Sequence, residues 1–198
     1  MWRFRHAIGR VVAYHGCDLA IAKQLVANKT TLNVSSNKYD WLGDGAYFWI
    51  ASPQRAIDWA IWKHEQGEID IPSAVGAFIH LGSCLNLTDL GMMDDIRKAH
   101  KSLELLITSS GADMPINTTP RHGVMMRRFL DCAVFNMAHL LRSREGKLPY
   151  DTVLGMFEEG PDCFPGSCFK DKTHIQLAVR NTECVIGYFQ IPGLDYGF

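Results

Sequence analysis

The sequence predicts an α+β domain in which strands at both ends of the chain enclose a helical middle. Three observations carry this. β-prone runs punctuated by Gly cluster before residue 90 and again after residue 150, and residues 94–110 and 124–145 are helical in character. The length, 198 residues at 47% hydrophobic and 21% charged, suits one domain with an insertion, and a domain of that size needs no disulfide or metal staple. The reading is therefore a single domain over 1–198 with a helical insertion at about 91–150.

In chain order, "RVVAYHGC" (10–17) reads as a strand ending in a His-Gly corner. "DLAIAKQLVANK" (18–29) is a helix with Asp18 as its N-cap, and "TTLNVSS" (30–36) is short and β-prone. "LGDGAYFWI" (42–50) is a turn followed by a strand, because Gly43 and Gly45 precede an aromatic run. "SPQRAIDWAIWKHEQ" (52–66) is a helix with Ser52 at the cap and Pro53 at the first helical position. "SAVGAFIHLGSCLNLT" (73–88) is strand in one or two pieces, and "YDTVLGMFEEG" (150–160) is a strand or short helix. "PDCFPGSCFKDK" (161–172) is a Pro/Gly-rich loop long enough to suggest function, and 173–191 holds two β-prone runs.

A net charge of −1 gives no global pull towards nucleic acid or an anionic membrane. The local basic groups Arg3/Arg5/Arg10, Arg121/Arg127/Arg128 and Arg142/Arg144/Lys147 read as solvated faces. Six cysteines without zinc-ligand spacing read as free thiols. The first residues lack the apolar core of a signal peptide and no apolar run is long enough to cross a membrane, so the expected location is cytoplasmic, without a membrane partner.

Three places join recognising side chains to irregular backbone: Tyr14-His15-Gly16 at a strand end, Tyr47 in the strand after Gly45, and "THIQLAVR" (173–180). Period-2 alternation in the last puts Ile175, Leu177 and Val179 on an inward apolar face and His174, Gln176, Ala178 and Arg180 on a polar one. Each stretch has a plain structural reading when taken singly. Their order in the chain gives them joint meaning.

His-Gly at a first strand, then Gly-x-Gly-x-Tyr-Phe, a small-residue helix and a polar residue leading a late strand resemble the ADP-ribosyltransferase superfamily, in the branch related to the poly(ADP-ribose) polymerases and diphtheria toxin. The matching segments are His15-Gly16, "GDGAYFWIASPQRAIDWA" (43–60), "GAFIHLGSCLNLTDL" (76–90) and "IQLAVRNTECVIGYF" (175–189). The resemblance implies a split β-sheet core and NAD as substrate, with no metal. By analogy Tyr47 stacks on nicotinamide, Gly16 holds its carboxamide through the backbone, and His15 bonds the adenosine-side ribose. Trp59 is the candidate second stacking surface, and Arg55 reaches the pyrophosphate. Stacking needs the ring of Tyr47 rather than its hydroxyl, so a Phe there is expected to be tolerated.

Two positions depart from the family. Gln176 stands where the family has Glu, and an amide can bond a ribose but cannot take a proton. Arg55 and Asp58 stand roughly where the polymerases have a Ser and a Tyr. The resemblance then favours transfer of a single ADP-ribose to a macromolecular acceptor (protein, RNA or DNA), as in an intracellular toxin with an antitoxin partner. An NAD glycohydrolase and a catalytically inactive NAD- or ADP-ribose-binding module are the alternatives. A base, if needed, comes from Glu158 or Glu159.

Overall fold

The computed structural model describes residues 9–118 and 126–197, which leaves Arg3, Arg5 and Arg121 outside the described residues. Strands β1 (Arg10–Asp18) and β3 (Pro72–His80) pair antiparallel along their whole lengths, from Arg10↔His80 to Asp18↔Pro72. Around them lie β2 (Ala46–Ile50), β4 (Cys84–Asn86), β5 (Thr152–Phe157), β6 (His174–Val179) and β7 (Val185–Phe189). They form one sheet in the order β4-β5-β6-β2-β1-β3-β7, mixed because β4 and β5 run parallel and the other pairs antiparallel. The α+β class is as expected. The sheet is continuous rather than two separate pieces, but it narrows between β1 and β2, which pair only at Ala13↔Ile50 and Tyr14↔Trp49.

Helix α1 (Leu19–Val26) starts where predicted, because the Asp18 carboxylate accepts from Ala20 N at 2.8 Å. The same carboxylate accepts from the Asp70 and Ile71 amides at 2.9 and 3.0 Å, and those bonds, led by Ile71, hold its pKa below the usual range. Helix α2 (Pro53–Glu65) has Pro at its first position, while Ser52 occupies the cap without a side-chain bond. Ala56 and Ala60 of α2 are fully buried, so this face is cut down to methyls and lies close on β1. A Cβ on Gly16 would stand 2.0 Å from the Ala56 carbonyl oxygen.

Between β4 and β5 the chain builds α3 (Met93–Ser110) and α4 (Phe129–Arg144), as the helical middle predicts. They pack together through Ala99 and Leu103 against Val134, Met137 and Ala138. Phe135 of α4 also joins Leu42, Leu85, Val153, Phe157 and Ala178, which anchors the pair to one face of the sheet. The other face is built on Phe48, Ile79, Leu177 and Val179.

Two local expectations are corrected. Residues 30–36 form no strand and contribute one bridge, Ser35↔Gly45. In β6, Ile175 is 37% exposed, whereas His174, Gln176 and Ala178 are buried alongside Leu177 and Val179. Alternation distinguishes faces in a half-solvated strand. Here β6 is interior, paired with β5 and β2, and both of its faces are covered towards Val179.

Because the Gly16 contact is with main chain, α2 must move to admit any side chain there. Gly16→Ala is expected to destabilise the fold by about 1–3 kcal/mol, the usual cost of overpacking, read as a lower midpoint in urea denaturation.

Candidate functional site

The aromatic stretch 39–49 is a turn held from outside. Gly43 has φ 78°, and a Cβ on it would meet Asn136 Oδ1 at 2.7 Å, so both backbone and space require glycine. The Asp44 amide donates to Asn136 Oδ1 at 3.1 Å, and Asn136 Nδ2 donates back to the Asp44 carboxylate at 3.0 Å. Arg180 donates to the Asp44 carbonyl at 3.1 Å. From inside, the Tyr47 hydroxyl donates to Gly43 O at 2.6 Å and accepts from Leu42 N at 2.9 Å. Burial pushes this phenol's pKa well up, so it stays a neutral donor. The hydroxyl therefore has a structural task, and Tyr47→Phe is not the neutral change that stacking alone suggests.

This turn and the neighbouring strands wall a cavity of about 590 Å³. His15, Tyr47, Arg55, Trp59 and Gln176, five residues singled out from the sequence, all line it. Glu159 lines it too, but Glu158 and Gly16 do not. Gly16 lies at the edge of the site, next to His15, with its Cα turned against α2. Trp59 stands 6.0 Å from Trp49, centroid to centroid, and stacks on Trp62 at 4.9 Å and 21°.

Where main-chain pairing of β1 and β2 stops, the His15 ring takes over: Nδ1 lies 2.7 Å from the Tyr47 carbonyl oxygen. A carbonyl only accepts, so the proton sits on Nδ1 and Nε2 is left as an acceptor. Burial is the main reason His15's pKa falls from 6.5 to about 4; the Tyr47 bond opposes this and the Lys63 charge adds to it. His174 repeats the pattern, with Nδ1 donating to Lys172 O at 2.7 Å and burial lowering its pKa.

Four buried polar atoms on the cavity's lining residues have no hydrogen-bond partner among the described residues: His174 Nε2, Gln176 Oε1, Trp49 Nε1 and Arg55 Nε. Two accept and two donate. Arg55 is fixed by Glu159, at 2.7 Å from NH2 to Oε2, with Asp58 at 4.0 Å on the other side. The site thus offers flat aromatic faces, with unpaired hydrogen-bonding groups of both kinds buried in its wall.

Sequence reasoning passed over Trp49 and His174, although the signal was there. Each lies two residues from a chosen one, Trp49 from Tyr47 and His174 from Gln176, and period 2 puts such pairs on one face. Of the basic groups of the insertion, Arg127, Arg128 and Arg142 lie over Tyr39, Trp41 and Tyr150 at 5.0, 4.4 and 4.0 Å, while Arg127, Arg144 and Lys147 are exposed. All six cysteines are free thiols, Cys163 and Cys168 exposed and the others buried. Among the described residues no group of His, Cys, Asp or Glu is arranged to hold a metal, and no helix is long and apolar enough to cross a membrane. Comparison with known protein families, curated proteins and solved structures finds no match for the chain.

Since His15's pKa is lowered in the folded state, the unfolded chain binds more protons between pH 6.5 and about 4. Its contribution to stability is complete above pH 6.5 and is lost as the pH falls through that window. Thermal unfolding followed from pH 8 to pH 4 is expected to show Tm falling below about pH 6.5, with a shallower fall in His15→Gln.

Proposed function

We propose that the cavity binds NAD and that the protein is a mono-ADP-ribosyltransferase, which breaks the nicotinamide–ribose bond and passes ADP-ribose to a macromolecular acceptor. One observation carries this reading: His15, Tyr47 and Gln176, far apart in the chain, meet in one aromatic-walled cavity beside the narrow β1–β2 seam. Their chain order is that of the His, Tyr and Glu signature the sequence resembles.

The chemistry follows from the side chains. Nicotinamide in NAD is flat and cationic, which suits stacking on Tyr47 or Trp59. Its carboxamide and the ribose hydroxyls need both donors and acceptors, and the lining residues Trp49, Arg55, His174 and Gln176 carry groups of both kinds. His15 Nε2, neutral and accepting, suits a ribose hydroxyl. Cleavage passes through an oxocarbenium-like state, so the gain comes from fixing the ribose and from polar contacts that tighten as charge develops. Gln176 Oε1 is the group on β6 able to do this. A volume of about 590 Å³ falls within the range of small-molecule sites.

A second reading, an NAD-binding module without turnover, is favoured by one fact: the β6 position carries an amide and not a carboxylate. Incubation with adenine-labelled NAD and a cell extract separates the two. A transferase releases nicotinamide and labels protein, RNA or DNA, whereas a module retains NAD intact. For the transferase, Gln176→Ala is expected to slow nicotinamide release by about 10–1,000-fold, as for a lost polar contact in a transition state. Gln176→Glu is expected to raise hydrolysis relative to transfer. An unchanged rate in the Ala variant removes Gln176 from the site.

A further inference from the structure

Glu159 precedes the 161–172 loop and lines the cavity, paired with Arg55 of α2. The cavity's other acids are engaged elsewhere. Asp40 accepts from the Ser35 hydroxyl at 2.6 Å and the Asn37 amide at 3.0 Å. Asp58 accepts from Gln54 at 2.9 Å, and Glu68 pairs with Lys63 at 3.2 Å. Glu159 is the one that lies beside the buried His174: its Oε2 is 2.7 Å from Arg55 NH2 and 3.9 Å from His174 Nδ1. Its Oε1 makes no hydrogen bond among the described residues.

The surroundings mark this as a built site. His174 and Gln176 are buried beside it, and each has an unpartnered polar atom. His174 is the competing base, but its side chain is only 1% exposed, whereas that of Glu159 is 37% exposed at the mouth. A molecule arriving from solvent meets Glu159 first. Arg55 is itself held by Asp58 and lies 6.0 Å from the Trp49 ring, so the carboxylate is anchored to α2 and not left on a mobile stem.

We propose that Glu159 is the general base that activates the acceptor, supplying the carboxylate that β6 lacks, with Arg55 as the positioning residue that aims it. This rests on the NAD-cleaving reading above. In the step, the C1′–N bond breaks with its electron pair going to nicotinamide, which leaves neutral. The acceptor's hydroxyl or amine, or water, forms the new bond to C1′ and its proton passes to Glu159. Gln176 stays a hydrogen-bonding group throughout.

Azide gives the discriminating test, because it is already an anion and attacks C1′ without losing a proton. The probes are NAD with water as acceptor and NAD with added sodium azide, with nicotinamide release and product mass as readouts. Glu159→Gln keeps the size of the side chain and an acceptor for Arg55, so NAD affinity by calorimetry is expected to stay near wild type. Its nicotinamide release in water is expected to fall by about 100–10,000-fold, the range for a lost general base. Azide should restore release and yield the ADP-ribosyl azide. Arg55→Met, which frees the carboxylate, should also lose release in water and also be rescued. The exposed Glu158→Gln should match wild type. Release by Glu159→Gln equal to wild type in water overturns the proposal, and so does a loss that azide does not restore. Wild-type protein that binds NAD but releases no nicotinamide with either nucleophile overturns the transferase reading and this step with it.

Discussion

Main-chain pairing between β1 and β2 ends at Tyr14 and Trp49, and from there the 2.7 Å bond from the His15 imidazole to the Tyr47 carbonyl bridges the strands. A buried carbonyl left without a partner costs about 1–3 kcal/mol, so the ring both satisfies the backbone and keeps the two strands at the right spacing. The cavity wall depends on this contact. If the ladder ran on past Tyr14, His15 would pair with Phe48 and Gly16 with Tyr47, and the seam would close. The Gly16–Ala56 contact supports the opening from behind, since α2 presses on β1 where a side chain would otherwise stand.

The insertion takes part in the site through packing. Asn136 on α4 and Arg180 after β6 grip Asp44, and Arg128 lies over the Trp41 and Phe157 rings at 4.4 and 4.6 Å. The turn that carries Tyr47 is thereby fixed by three residues distant from it in sequence. Rigid support of this kind is what a binding wall needs, because a small misplacement of a stacking ring weakens every contact that depends on it. The four unpartnered buried polar atoms point the same way. Each carries a desolvation cost that an apolar side chain would avoid, and a ligand bonded to the lining residues would offset part of it.

The parts legible in the sequence were those governed by local chemistry. Asp18, Pro53, the Gly-x-Gly turn and the helical spacing of the middle located five of the seven strands and all four helices within a few residues. His15, Tyr47, Arg55, Trp59 and Gln176 line one cavity because the sheet sets β1, β2 and β6 side by side with α2 packed on β1. What stayed hidden depends on neighbours. The burial of β6 on its polar face follows from its interior position between β5 and β2, which alternation does not reveal. The structural role of the Tyr47 hydroxyl arises from the turn folding back on its own strand. The separation of Glu159 from Glu158 turns on a single residue's register at a strand end, where adjacent side chains point opposite ways.

The most direct measurement is the structure of the protein in complex with a non-cleavable carbocyclic analogue of NAD. The account predicts the nicotinamide ring against Tyr47 or Trp59 in the cavity beside the β1–β2 seam, with ribose hydroxyls within hydrogen-bonding distance of His15 Nε2 and the Gln176 amide. An analogue seated elsewhere on the protein, or one that fails to bind at millimolar concentration while the protein remains folded, would contradict it.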